Sequence, residues 1–224
     1  MKKINFLNSA PKNPNLIRYR KLNKTRNKLL ALKFGKDYFD GDRASGYGGY
    51  YYDGRWIKTA KKIIKKYKLK SNSKILDVGC AKGFLMHDIL KVSKNKIKVY
   101  GVDISAYAKS KAMINVKNKI IICNCKKLPF EDNYFDLVIS INTIHNLKKN
   151  ECIQALKEIQ RVTKKNAFVQ VDAYRNKNQY KIFLDWMLTA KTFLTTKRWR
   201  ELFKKAGYKG DYYWTILTLK NNNY

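Results

Sequence analysis

The sequence predicts an α/β fold, a doubly wound, mostly parallel sheet of six to seven strands with helices on both faces. Two short apolar runs, Lys74–Val78 and Lys98–Val102, each have a carboxylate at or near the C-terminal end. Asp77 is the next-to-last residue of the first run, and Asp103 directly follows the second. A glycine turn, Gly79–Gly83, and a helical pattern lie between them. This order of strand, tight turn, helix and strand is how a doubly wound sheet binds an adenosine-containing ligand.

Hydrophobic spacing extends the alternation along the chain. The predicted helices are Leu16–Phe34, Trp56–Leu69, Gly83–Val92, Ser105–Val116, Asn150–Val162, Gln179–Thr189 and Thr196–Ala206. The other predicted strands are Ile120–Cys123, Phe135–Ile141, Ala167–Val171 and Tyr212–Leu219. Between the last two strands the sheet is either shortened or continued by a short strand at Lys191–Leu194. Strands and helices that alternate in this way imply right-handed crossovers and a sheet covered on both faces.

The charge balance of the chain suggests an anionic partner. Its 49 Lys and Arg against 16 Asp and Glu give a net charge of +33, which is typical of proteins that bind nucleic acid or an anionic membrane surface. A composition rich in Lys and Asn explains the same excess as solvated faces, and both interpretations stay open. Residues 1–36 contain no acidic residue, so this basic arm is either a solvated segment or a contact for RNA or another anionic surface.

Cysteines and histidines favour a reduced, metal-free protein. The four cysteines form no Cys-x-x-Cys pair and the chain has only two histidines, so neither disulfides nor a metal site are expected. No apolar run approaches the roughly 18 residues of a membrane span. The chain is therefore expected to be cytoplasmic. Its 224 residues are enough to bury one full hydrophobic core.

An aromatic segment, Tyr38–Trp56, separates the basic arm from the rest of the chain. It combines seven aromatic residues with glycines and three carboxylates, and its lack of periodicity predicts a loop. We expect two parts, an arm and aromatic lid over residues 1–56 and a globular domain over residues 57–224. As a lid, the segment would place these candidate substrate-binding residues over the site: Tyr47, Tyr50, Tyr52 and Arg55. Its aromatic rings could instead only pack the segment onto the domain.

Four stretches of the chain together resemble one enzyme family. They are ILDVGCAKG, VYGVDIS, CNCKKLPFEDNYFDLVISINTIHNL and ALKEIQRVTKKNAFVQVD. In order and spacing they resemble the class I S-adenosylmethionine-dependent methyltransferases, specifically the small-molecule branch with the ubiquinone/menaquinone C-methyltransferase-like proteins. The resemblance covers Lys74–Asp172 and implies a Rossmann-like fold whose seventh strand is antiparallel.

The resemblance also implies a set of residues that contact S-adenosylmethionine. By this resemblance, Asp103 holds the ribose hydroxyls and Asn124 contacts the adenine amino group. Cys125 would contribute its backbone N–H to the cofactor. Ala81 stands where the family usually has glycine, which costs little if its φ is negative. The full set of expected cofactor-binding residues is Asp77, Gly79, Cys80, Ala81, Gly83, Asp103, Ile104, Asn124, Cys125 and Ser140.

The acceptor side of the site is less defined by the sequence. Methyl transfer from a sulfonium needs positioning and at most one base, and the candidates near strand ends are Asn142, His145 and Asp172, with Tyr174 as a further substrate contact. His145 is open between a base and a structural hydrogen bond. The expected reaction transfers a methyl group to an N, O or C atom of a small molecule and releases S-adenosylhomocysteine.

Two alternatives to this reaction stay open. An RNA methyltransferase would use the basic surface, although the fourth strand ends in Ser140–Thr143 without the Pro-Pro-aromatic turn typical of base amino methylation. A protein that binds S-adenosylmethionine without catalysis would keep the same fold. The sequence leaves the oligomeric state open.

Overall fold

A computed structural model of the chain describes residues 1–7 and 22–217. Its strands belong to one sheet and run, in chain order, β1 Lys74–Val78, β2 Lys98–Asp103, β3 Ile120–Ile122, β4 Phe135–Ile141, β5 Thr163–Tyr174, β6 Leu194–Thr195 and β7 Asp211–Thr215. The helices are α1 Lys24–Ala31, α2 Lys36–Phe39, α3 Ile57–Lys66, α4 Phe84–Val92, α5 Ala106–Ser110, α6 Ile114–Lys117, α7 Lys149–Val162, α8 Lys177–Trp186 and α9 Thr196–Lys205. A short 3₁₀ helix, Ile144–Asn146, precedes α7.

The sheet has the order β3-β2-β1-β4-β5, with β7 and the short β6 both paired to β5. Every strand pair is parallel, which confirms the predicted doubly wound α/β class. The carboxyl ends of β1, β2 and β4 therefore meet at one edge, where such sheets bind ligands. The implied antiparallel last strand is wrong here, because α9 returns the chain across the sheet before β7 begins.

The first residues of the chain add an edge to this sheet. Lys3 forms a parallel bridge with Tyr212 of β7, and the Ile4 amide donates to the Tyr212 carbonyl at 2.9 Å. Phe6 is buried and packs edge-on against Phe168, with ring centroids 4.8 Å apart. The first residues of the predicted arm thus pack on the sheet. Most of the predicted arm, and the start of the helix predicted at Leu16–Phe34, lie outside the described residues.

One predicted helix is wrong because it is interrupted between Ser110 and Ile114. Ser105 caps α5 as predicted, its hydroxyl accepting the Ala108 N–H. At Met113 the backbone is extended and its amide donates to the Lys82 carbonyl at 3.1 Å. Because this amide does not donate within a helix, the helix predicted over Ser105–Val116 is split into α5 and α6.

Apolar side chains cover both faces of the sheet. One core cluster packs α7 and α9, the latter through Trp199, on the face that includes Leu76 and Val138. The other joins α3 and α4 to the opposite face and includes Ile63 and Phe168. Among the described residues, no helix is both long enough and apolar enough to cross a membrane.

Candidate functional site

The turn after β1 has a backbone that only a small residue allows. Gly79 has φ +82°, and a Cβ built there would lie 2.0 Å from Oγ1 of Thr143. Ala81 also has a positive φ, +49°, so the condition under which alanine would cost little at this position is not met. Its amide donates to Oδ2 of Asp103 at 2.8 Å. This bond orients the turn toward the end of β2, where alanine adopts a conformation that glycine adopts more easily.

Asp103 stands at the end of β2 with both oxygens held by backbone amides. Oδ2 accepts the Ala81 N–H, and Oδ1 accepts the Ser105 N–H at 2.8 Å. Burial raises the pKa of Asp103, against the lowering effect of these amides. Each oxygen retains a lone pair, so the carboxylate can still accept hydrogen bonds from a pair of vicinal hydroxyls.

Asp77, near the end of β1, is a buried carboxylate without a hydrogen-bond donor among the described residues. It is only 6% exposed. Burial raises its pKa to about 7, and the negative charge of Asp103 adds to the shift. An ionised group in this position is stabilised by a cation placed beside it.

Two cavities meet above these carboxylates. The first, about 340 Å³, is lined by Asp103, Ile104, Asn124, Cys125, Asn146 and Lys191 among others. The second, about 310 Å³, is lined by Arg55, Trp56, Thr59, Asp77, Cys80 and Leu85 among others. Residues that line both mark their junction, and these are Tyr47, Gly79, Ala81, Ile141 and Asn142.

The far end of the first cavity is built from the loop after β3. Oδ1 of Asn124 accepts the Lys126 N–H at 3.1 Å and retains a lone pair for another donor. Burial raises the pKa of the Cys125 thiol to about 12, so the thiol stays protonated. Ile104 offers an exposed apolar surface to the same cavity.

The aromatic segment covers the site and is fixed at two points. Nζ of Lys82 lies 2.6 Å from Asp40 Oδ1, and the Tyr107 hydroxyl donates to Oδ2 of Asp40 at 2.8 Å. Farther along, the Tyr52 hydroxyl donates to Asp88 at 2.6 Å, a contact that raises the pKa of Tyr52 to about 12. The segment also stacks Tyr50 on Phe84, with ring centroids 4.8 Å apart.

The expected substrate-binding residues divide into two groups. Tyr47, Tyr50 and Arg55 line the cavities. Tyr52 does not line either cavity and anchors the segment through Asp88. Tyr174 packs against aromatic residues of the C-terminal part, such as Tyr180.

The expected catalytic residues divide in the same way. Asn142 lies at the cavity junction, where its Oδ1 accepts the Thr215 hydroxyl at 3.0 Å. His145 and Asp172 line neither cavity. Nδ1 of His145 accepts the Asp172 N–H at 3.0 Å, and its Nε2 lies 3.5 Å from Oδ2 of Asp172. Because both side chains are nearly buried and engaged with each other, this geometry is that of a structural pair.

Two of the expected cofactor-binding residues lie off the cavities. Ser140 is fully buried and donates to the Val78 carbonyl at 3.1 Å. Gly83 has φ +73° and begins α4, where a Cβ would meet Val116 at 2.7 Å. Ser140 therefore supports the site by joining β4 to β1, and Gly83 supports it by forming the start of α4.

Three residues of the site were missed from the sequence: Lys82, Thr215 and Leu7. Lys82 is only 4% exposed. Thr215 links Gln170 to Asn142: the side-chain amide of Gln170 donates to the Thr215 hydroxyl at 3.0 Å, and that hydroxyl donates to Asn142. Leu7 lines the second cavity. No local pattern in the sequence identified Lys82 as the partner of Asp40.

Comparison with known proteins shows which proteins the chain is similar to. Residues 76–171 match the family model described as a methyltransferase domain. The chain is 33% identical over 134 residues to a sterol 4-C-methyltransferase of Caenorhabditis elegans, covering 53% of this chain and 39% of that protein. It is 31% identical over 115 residues to a demethylmenaquinone methyltransferase of Staphylococcus saprophyticus, covering 49% of this chain and 48% of that protein. The chain thus spans about half or less of the length of these relatives.

Solved structures show the same fold. The crystal structure of an S-adenosylmethionine-dependent methyltransferase from Aquifex aeolicus matches with a TM-score of 0.51 at 22% identity, over 66% of this chain and 78% of that chain. In its sheet order, in the carboxylates of β1 and β2 and in the match over residues 76–171, the chain is similar to the class I S-adenosylmethionine-dependent methyltransferases.

The residues present fit this cofactor. An adenosine needs a carboxylate for its ribose diol and hydrogen-bonding groups for its adenine, and the first cavity holds Asp103, Asn124 and Cys125. A backbone must come close to the sulfur, and Gly79 provides a surface with no side chain. The cationic end of the cofactor suits the unpartnered carboxylate of Asp77.

Proposed function

We propose that the chain transfers a methyl group from S-adenosylmethionine to a small-molecule acceptor. The observation that carries this proposal is the form of the site, two adjoining cavities of about 340 and 310 Å³ beneath a fixed aromatic segment. Such volumes suit a cofactor and a small organic molecule. The names of the two relatives, which specify a sterol and a quinone as acceptors, support the same class of acceptor.

The residues of the chain have separate tasks in this proposal. When bound, S-adenosylmethionine supplies a methyl group on a positively charged sulfur, whose departure requires no proton. Asp103 accepts hydrogen bonds from the ribose, and Asn124 does so from the adenine. Asn142, held by Thr215 at the cavity junction, orients the acceptor. Tyr47 presents an aromatic ring at the same junction, where it excludes water and attracts a cation.

No general base is assigned among His145 and Asp172. Both side chains are turned toward each other behind the cavities. An acceptor that is already nucleophilic, such as an enolate carbon, a phenolate or a neutral amine, needs only the positioning that Asn142 and the aromatic segment provide.

The proposal is tested by measuring S-adenosylhomocysteine formed from S-adenosylmethionine with a panel of hydroquinones, sterols, phenols and amines. We expect turnover with at least one small acceptor and none by Asp103→Ala, which loses the ribose contact. The same assay includes bulk tRNA. Turnover with tRNA alone would show an RNA methyltransferase, and binding without turnover across the panel would show a non-catalytic protein; either result contradicts the proposal.

A further inference from the structure

A basic groove runs along α9, outside the two cavities of the candidate site. Its volume is about 710 Å³, and none of its lining residues lines either cavity. They are Met1, Lys197, Arg200, Glu201, Lys204, Gly207, Tyr208 and Lys209. We propose that this groove binds a single strand of nucleic acid through its phosphodiester backbone. The inference does not rest on the proposed function, because the strand is held away from the cavities and is not the methyl acceptor.

The cations of α9 that line the groove form a row along one side of the helix. Lys197, Arg200 and Lys204 lie at positions i, i+3 and i+7, which share one face of an α-helix. All three are exposed. At about 1.5 Å per residue, the row extends over about 10 Å. The opposite side of the helix, which includes Trp199, is buried in the core. The row is therefore a line of positive charge that faces solvent and is long enough to contact several units of an extended polyanion.

The cations of the groove form no ion pair with carboxylates of the described part of the chain. The ion pairs found there engage cations elsewhere, such as Lys82 and Arg161. Lys209 joins the row from the loop after α9, where its amide donates to Oε1 of Gln160 at 2.8 Å. Four cations and the one carboxylate of Glu201 give the groove a net charge of +3. A chain of phosphates suits such a groove, because each phosphate that is bound releases condensed counterions.

The side chains of α9 favour nucleic acid over a membrane surface as the anionic partner. A helix that lies in the membrane interface buries an apolar face among the lipid headgroups and acyl chains. The large apolar side chains of α9 are instead buried against the sheet, and these are Trp199, Leu202 and Phe203. The helix therefore presents only polar and charged side chains to a partner, which suits a hydrated phosphate backbone.

The end of the groove at Tyr208 lies away from the candidate site. The Tyr208 hydroxyl donates to the carbonyl of Asp211, the first residue of β7, at 2.7 Å. Because β7 is parallel to β5, this residue lies at the edge of the sheet opposite the carboxyl ends that carry the site. The Tyr208 ring is only 3% exposed, so it offers no free face on which a base could stack. Binding then depends on the phosphates and is independent of base sequence.

The test measures fluorescence anisotropy of a labelled oligouridine, about 12 nucleotides long, titrated with the full chain at several salt concentrations. Each phosphate contact of a single strand adds about −0.7 to the slope of log K against log salt, so four contacts predict about −2.8. The triple variant Lys197→Gln/Arg200→Gln/Lys204→Gln leaves a slope of about −0.7 and binds about 100-fold more weakly at about 0.1 M salt. Glu201→Gln removes the carboxylate of the groove and tightens binding about 2- to 5-fold. Oligothymidine of the same length binds as oligouridine does.

The matched control is Lys58→Gln/Lys62→Gln/Lys65→Gln, which removes three charges from exposed positions on α3. This helix packs on the opposite face of the sheet from α9, and a Debye length of about 10 Å at about 0.1 M salt screens it from the groove. Melting temperatures confirm that each variant is folded. Equal weakening by the two triple variants would show that the net charge of +33 acts as a whole, and the inference would be wrong. It would also be overturned by a wild-type protein that does not bind oligouridine, or that binds polyglutamate or phosphatidylserine vesicles more tightly.

Discussion

The ion pair between Lys82 and Asp40 joins the aromatic segment to the turn after β1. Nζ of Lys82 lies 2.6 and 2.7 Å from the two oxygens of Asp40 and donates to the Tyr50 carbonyl at 2.9 Å. The two side chains are 5% and 14% exposed. Lys82→Met keeps an unbranched side chain and removes the charge. Asp40 is then left with hydrogen bonds from the Tyr107 hydroxyl and the Tyr50 amide.

The magnitude follows from the burial of the remaining carboxylate. Burial raises the pKa of Asp40, but hydrogen bonds from Lys82, Tyr107 and Tyr50 and the charge of Lys82 together outweigh it, so the pKa lies below its ordinary value. Removing one partner of a buried ion pair costs about 3 to 5 kcal/mol. Because Asp40 retains two hydrogen bonds, we expect the lower end, about 3 kcal/mol. In a domain of this size that lowers the melting temperature by roughly 6 to 12 °C.

Urea denaturation and thermal unfolding of the full chain measure this loss. Lys165→Met is the matched control, because Lys165 lies 2.9 Å from Asp136 but its side chain is 61% exposed, and an exposed pair contributes at most about 1 kcal/mol. The double variant Lys82→Met/Asp40→Asn removes the stranded charge and recovers part of the loss. Equal stability of Lys82→Met and Lys165→Met, or a double variant no more stable than Lys82→Met, would refute the reasoning.

Three further predictions concern the turn and its carboxylate. Ala81→Gly raises the free energy of unfolding by about 0.5 to 1 kcal/mol, since the positive φ costs alanine more than glycine loses in unfolded-chain entropy; a decrease in urea denaturation would contradict this. Gly79→Ala, whose Cβ would lie 2.0 Å from Oγ1 of Thr143, abolishes S-adenosylhomocysteine binding by calorimetry, whereas Gly35→Ala, with open space around it, does not. Burial raises the pKa of Asp77 to about 7, above its unfolded value, so stability is lost as pH rises from about 4 to 7. Cofactor-free Asp77→Asn should then match the wild type near pH 4 and exceed it by up to about 4 kcal/mol at pH 8; equal stability at both pH values would contradict this.

Elements with strong local signals could be predicted from the sequence. The predicted bounds of β1 and β4 agree with the structure, and those of β2 differ by one residue. Their apolar runs and flanking turns lie within a few neighbouring residues. The edge formed by Lys3 and Tyr212 could not be predicted, because it joins residues 209 positions apart with no motif at either end.

The same distinction between local signals and contacts of distant residues applies to the site. The positions of Asp77 and Asp103 at the cavities followed from the rule that parallel strands bind ligands at their carboxyl ends. The positive φ of Ala81 depends on the reach of its amide to Asp103, which is a tertiary contact. Likewise, nothing near His145 in the sequence showed that its ring would be engaged by Asp172. Its role as a base stays a prediction that the geometry does not favour.

The two anchors of the aromatic segment bear on how the site works. One anchor, Asp40, is bound by Lys82 from the turn that carries Ala81, whose amide also fixes Asp103. The other, Tyr52, is bound to Asp88, a fully buried carboxylate on α4 whose second oxygen has no partner among the described residues. Because the segment is held at both places, it forms a fixed cover over the cavities rather than a loop attached only at its ends. Lys82 thus joins the turn after β1 directly to the aromatic segment, through Asp40 and the Tyr50 carbonyl.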